Sequence, residues 1–164
     1  MIDGISIDWQ ISTIKPSTKK VFLFKDKNHS PNSPKHYHLC LPTIDNKYIC
    51  LVMFSRSYEK IKSQYERIDK TTTFPNDKKC VDSLIDVDQS SKINFVKQKS
   101  IINCNSPIYG SLEELKNKID GSLKVIETNI PADIYNSLIV AVNNSPVVKQ
   151  YIKQNLKIHS ASHK

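Results

Sequence analysis

The stretch Lys35-His36-Tyr37-His38 holds the residue types best suited to chemistry in this 164-residue chain. In a strand, His36 and His38 project from one face while Tyr37 and Leu39 project from the other. Imidazoles with an ordinary pKa of about 6.5 can take up and return protons near neutral pH, so the pair suits general acid–base work. The preceding segment Asp26–Lys35 (DKNHSPNSPK) has two Pro, two Asn and no aliphatic residue, so it reads as a loop. Lys27, His29 and Lys35 would give that loop positive or titratable groups for an anionic substrate. The alternative is a pair of half-exposed strand histidines with no chemical role. A metal site is the weaker reading, because H-x-H needs a third ligand and no other His or carboxylate sits at a spacing that supplies one.

Ser55-Arg56-Ser57 follows the most apolar segment of the chain. Two hydroxyls and a guanidinium at a strand end can bind a phosphate, Arg56 through its bidentate fork. An ordinary polar strand exit is the alternative. Lys149, Lys153 and Lys157 recur every fourth residue and form a positive stripe, either a solvated face or a track for a polyanion or acidic partner. Trp9 and the Phe residues read as core.

Composition narrows the class. With Gly at only three positions, the chain lacks a Walker loop, a GxGxxG fingerprint and a nucleophile elbow. The formal charge of +8 comes from 22 Lys but only 2 Arg, Arg56 and Arg67. Lys, Ile and Asn all have A/T-rich codons, so part of that charge reflects codon usage, and it permits a polyanion partner without requiring one. Cys40, Cys50, Cys80 and Cys104 form no C-x-x-C pair and sit in apolar or strand-like contexts, as small buried hydrophobes. The longest apolar run, Tyr48–Phe54, is too short for a membrane span. A soluble cytoplasmic protein without metal or cofactor is expected, with no membrane association.

These residues need elements to hold them. Trp9–Ile14, Val21–Phe24, His36–Leu41 and Tyr48–Phe54 read as strands, the last two joined by a hairpin at 42–47. Tyr48–Phe54 is apolar on both faces and should be central. Tyr58, Ile61, Tyr65 and Ile68 form a helical stripe, with an excursion from the sheet as the alternative. Val81–Val87 and Lys99–Asn103 read as further strands. Ser111 and Glu114 form a capping box for a helix to about Ile119. Pro131–Asn143 is a second helix, and Ser145-Pro146 opens a third reaching about Leu156. The expectation is one domain, residues 1–164, β-rich over 8–104, helical over 111–157, with a basic tail at 158–164.

One segment carries a family resemblance. Phe95–Ile119, FVKQKSIINCNSPIYGSLEELKNKI, resembles the segment of PemK/MazF-family toxins in which the sheet ends and a helix begins, most closely over Ser100–Leu115. The order of elements from about residue 19 to 143 is similar as well: a loop, a strand with a basic start (Pro34-Lys35-His36-Tyr37), then an apolar strand closed by a hydroxyl residue (Phe54-Ser55). The resemblance implies an α+β fold, a small SH3-like antiparallel β-barrel with C-terminal helices. It implies a homodimeric, metal-independent RNA endonuclease that cleaves single-stranded RNA by 2′-hydroxyl attack and is neutralised by a small acidic antitoxin. Ser55 matches the family's hydroxyl position, and the family's Arg position falls on Lys35 or His36. Within that chemistry, His36, His38, Ser55 and Arg56 are the expected catalytic residues. Lys27, His29, Lys35 and Ser57 are the expected substrate contacts. A non-catalytic module binding nucleic acid or protein on the same barrel is the alternative.

Overall fold

A computed structural model describes residues 20–27, 34–45, 47–119, 123–128 and 130–156. The expected strand Trp9–Ile14, His29 and the basic tail lie outside the described residues. The apolar runs build a meander of β1 (Lys20–Phe24), β2 (His36–Leu41) and β3 (Tyr48–Ser55). Val21 opposes Leu39, and His38 opposes Met53, so neighbouring strands are antiparallel. The 42–47 hairpin is closed by side chains. Thr43 Oγ1 donates to the Tyr48 carbonyl at 2.9 Å, and the Asp45 carboxylate accepts the Lys47 N–H at 3.1 Å.

The remaining strands are β4 (Leu84–Val87), β5 (Ser100–Ser111) and β6 (Lys124–Glu127), and the order across the sheet is β4-β5-β3-β2-β1-β6. The molecule is therefore α+β with a six-stranded antiparallel sheet, open in its pairing, with β4 and β6 at the edges. The doubly apolar β3 lies in the interior, as its sequence predicts.

Three stretches around the sheet differ from the sequence reading. β5 runs well past Asn103, pairing with the end of β3 through 101–103 and with its start through 108–111. Between these stretches the register shifts, and Asn103 Oδ1 accepts the Asn105 N–H at 3.0 Å. This polar interruption with Pro107 resembles a strand end in sequence, whereas the chain merely bends there. Residues 80–83 form a 3-10 turn rather than strand, because the Asp69 carboxylate accepts the N–H groups of Cys80 (2.8 Å) and Val81 (3.0 Å). β6 extends the sheet into the last third, where only helix was expected.

The helices are α1 (Tyr58–Thr71), α2 (Leu112–Lys118), α3 (Ala132–Asn144) and α4 (Gln150–Gln154). α2 begins at the expected capping box. The Glu114 N–H donates to Ser111 Oγ at 3.2 Å, and the Ser111 N–H donates to Glu114 Oε1 at 2.8 Å. Gly110 makes room for this arrangement, since a Cβ there would lie 2.8 Å from Glu114 Oε1 and 3.1 Å from its Cβ. α4 is shorter than expected. Ser145 turns its hydroxyl to the buried Asn105 Oδ1 at 2.7 Å, and 145–149 stays non-helical.

Strand alternation divides the core in two. Val21, Leu39, Leu41, Val52 and Phe54 pack with Leu138 and Ile139 of α3 and Ile152 of α4. On the opposite face Phe22, Phe24, Cys40 and Leu51 pack with Leu115 of α2 and with Ile119 and Leu123. α1 is fastened beside β4 and β5: Tyr58 Oη donates to the Asp86 carboxylate at 2.7 Å, and Asn103 Nδ2 donates to Tyr65 Oη at 3.2 Å. All four cysteines are buried and free. Burial pushes the Cys40 thiol up to about 12 and the Cys80 thiol up to about 11, so both stay protonated near neutral pH. Among the described residues no helix is long and apolar enough to cross a membrane.

Candidate functional site

Because β2 and β3 are antiparallel, the residues that open β2 and those that close β3 meet at one end of the sheet. A cleft of about 260 Å³ opens there. Lys35 and His36 line it from the start of β2, and Ser55, Arg56 and Ser57 line it from the end of β3. Five of the eight residues expected to carry the chemistry thus share one cavity.

Each is held by a local device. Ser55 is nearly buried, and its Oγ accepts the Ser57 N–H at 3.1 Å, which shapes the turn from β3 into α1. That bond uses the oxygen as acceptor and leaves the hydroxyl proton for a further partner. Ser57 stands at the N-cap of α1 without a side-chain cap, and its carbonyl accepts the Ile61 N–H at 3.1 Å. Arg56 is exposed at the rim, between the strand end and the helix start. The partial positive charge of a helix N-terminus adds to its guanidinium charge.

A further wall comes from the connection between β4 and β5. Asp88 caps a 3-10 turn at 89–91, accepting the Ser90 N–H at 2.8 Å, and Ile93 and Val96 anchor the connection in the core. It returns across the cleft with Lys97, Gln98 and Ser100 in the lining. Ser100 Oγ donates to the Gln98 carbonyl at 3.0 Å. Phe95 builds an aromatic floor, 4.4 Å from Tyr37 and 5.0 Å from Phe54 between ring centroids. The sequence reading missed Lys97, Gln98 and Ser100 and assigned Phe95 to the core. Nothing in their spacing tells that a long connection folds back to the end of β2.

The other expected residues stand apart. His38 is 1% exposed and stacks on Phe24 with centroids 4.0 Å apart, outside the cleft lining. Neither of its ring nitrogens makes a hydrogen bond of ordinary geometry. Burial, reinforced by the nearby His36, lowers its pKa to about 4, and backbone groups of Phe22 and His36 and the Asp26 charge offset this only in part. His38 is therefore neutral at pH 7 and has no path to a substrate in the cleft. Lys27 is exposed at the end of β1, where its N–H donates to the Lys118 carbonyl at 2.8 Å, and it does not line the cleft.

The cleft thus offers one imidazole, three cationic side chains, hydroxyls and an aromatic floor. Among the described residues no group of three or more His, Cys, Asp or Glu could hold a metal ion. No family model, curated protein or solved structure matches the chain.

Proposed function

We propose that this cleft binds single-stranded RNA and that the protein is a toxin-like endoribonuclease cutting by attack of the ribose 2′-hydroxyl. The observation that carries this reading is the convergence of His36, Lys35, Ser55 and Arg56 on one cavity from two adjacent strand ends. The nucleophile belongs to the RNA, so the protein needs only a proton carrier and positive charge at the phosphate. Neutral His36 takes the 2′-hydroxyl proton as the oxygen bonds to phosphorus. The resulting imidazolium returns it to the departing 5′ oxygen, leaving a 2′,3′-cyclic phosphate. With His38 buried, one ring serves both steps. Arg56, Lys35 and Lys97 compensate the charge that builds on the phosphate, and Ser55 donates its hydroxyl proton to a phosphate oxygen. Tyr37 and Phe95 give a base an aromatic surface.

The resemblance to PemK/MazF-family toxins supplies the rest of the proposal. The sheet is an opened form of their SH3-like barrel, the active species is a homodimer, and a small acidic antitoxin neutralises it in the cytoplasm. The β1–β3 meander and the long bent β5 support that fold reading.

The purified protein should cleave single-stranded RNA in EDTA, and His36→Ala should lower the rate about 100-fold or more at unchanged thermal stability. Equal cleavage by wild type and His36→Ala would overturn the assignment. The burial of His38 favours a second reading, a cleft that binds RNA without cutting it. Wild-type binding with no cleavage at any pH selects that reading.

A further inference from the structure

Beside the cleft, the two lysines that flank Gln98 have different surroundings. Lys97 lines the cavity, while Lys99 places its Nζ 4.0 Å from the ring centroid of Tyr58, the first residue of α1. A cation over a ring face at this distance is attracted by the ring quadrupole. The contact joins two walls of the cleft, because Tyr58 directly follows Ser57 of the lining and Lys99 directly follows Gln98.

The ring is itself held. Its Oη donates to the Asp86 carboxylate of β4 at 2.7 Å, and that bond, with burial, pushes the phenol up to about 12. It therefore stays a donor at neutral pH. The Lys99 charge also adds to the Ser90 hydrogen bonds that hold the Asp88 carboxyl below its usual range, so it acts on both ends of the 88–99 connection.

The connection needs such a hold near the cleft. Val96 is buried and Ser100 begins β5, but Lys97, Gln98 and Lys99 between them are exposed. An exposed stretch with few packed neighbours opens readily unless a contact ties it down. Ser100 Oγ on the Gln98 carbonyl fixes the bend locally. The Lys99–Tyr58 contact fixes it against the wall that carries Ser55, Arg56 and Ser57.

We infer that Lys99 and Tyr58 are positioning residues that hold Lys97 where it meets a phosphate of the substrate, without touching the substrate themselves. The inference rests on the reading of the cleft as a site for single-stranded RNA. It gives two lysines of equal charge, two residues apart, different tasks: Lys97 neutralises a phosphate and Lys99 grips a ring.

The test measures the affinity of the full-length protein for 2′-O-methyl oligouridine, which lacks the attacking hydroxyl, across a potassium chloride series. Tyr58→Leu removes no charge, yet should flatten the slope of log affinity against log salt by about 0.7, the share of one phosphate on a single strand. Tyr58→Phe keeps the ring face and should keep the wild-type slope. The exposed lysines give a second measurement that does not disturb the core. Lys99→Gln alone should flatten the slope as much as Lys97→Gln, and the two together no further than either. Additive lysine effects, a Lys99→Gln variant with the wild-type slope, or a folded Tyr58→Leu with that slope each overturn the inference and leave the cleft reading standing. Wild type that binds no oligouridine overturns both. Equal amide exchange over 97–99 in Tyr58→Leu and Tyr58→Phe, measured without RNA, overturns the holding contact alone.

Discussion

His38 shows how one residue can share a strand face with a catalytic candidate and still serve a different purpose. The H-x-H spacing and the strand assignment put His36 and His38 on the same side of β2, and both inferences follow from period-2 geometry. What spacing does not encode is depth. His36 opens the strand at the cleft, whereas His38 lies two residues further in, stacked on Phe24. The cost of that burial has a definite sign. Unfolded, the imidazole titrates at its ordinary value of 6.5, and folded it titrates at about 4. Between these values the unfolded chain binds more protons, so the stability present above pH 6.5 is lost as pH falls toward 4. The shift corresponds to about 3 kcal/mol. Denaturant unfolding of wild type should show a fall of that order between pH 7 and 4. His38→Leu should be at least as stable at pH 7, because it removes two buried nitrogens that make no hydrogen bond of ordinary geometry, and its pH profile should be flatter. An equally steep acid loss in that variant would show that other groups carry it.

At the scale of elements, what was legible depended on whether a pattern was local. Tyr58, Ile61, Tyr65 and Ile68 become the inward side of α1, and the Ser111–Glu114 capping box forms atom for atom. Strand ends joined by a hairpin must meet, which is why Lys35, His36, Ser55, Arg56 and Ser57 could be grouped from sequence. The Lys97 wall could not, because it depends on where a twelve-residue connection, 88–99, crosses the sheet. β6 was hidden for a similar reason: four residues acquire strand geometry only through pairing with β1. The contact that sets α1 is also non-local. Asp69, near the helix end, caps the 80–83 turn through two backbone N–H groups. Asp69→Ala leaves both donors partly buried without a partner and should cost about 1–2 kcal/mol, read as a lower unfolding midpoint at unchanged m-value. Since Ser57 at the cleft is the N-cap of α1, RNA affinity there should weaken as well. A variant as stable as wild type would show that these bonds contribute nothing net.

For the whole molecule, the question is whether the +8 charge acts as a diffuse field or at defined points. A diffuse field treats every lysine alike. The fold instead concentrates Lys35, Arg56 and Lys97 around one cavity, while Lys124, equally cationic, stands exposed on edge strand β6. Counterion release distinguishes the two cases. On a single strand, each phosphate neutralised contributes about −0.7 to the slope of log affinity against log salt. Arg56→Gln and Lys97→Gln should each make the slope shallower by roughly that amount. Lys124→Gln removes the same formal charge and should leave the slope unchanged. The measurement is oligouridine affinity across a potassium chloride series for wild type and the three variants. If all three flatten the slope equally, the charge works as a field and the cleft loses its claim to the phosphates. If only the cleft pair does, the chain's single guanidinium in the cavity counts for more than most of its lysines, and net charge was the least informative thing about it.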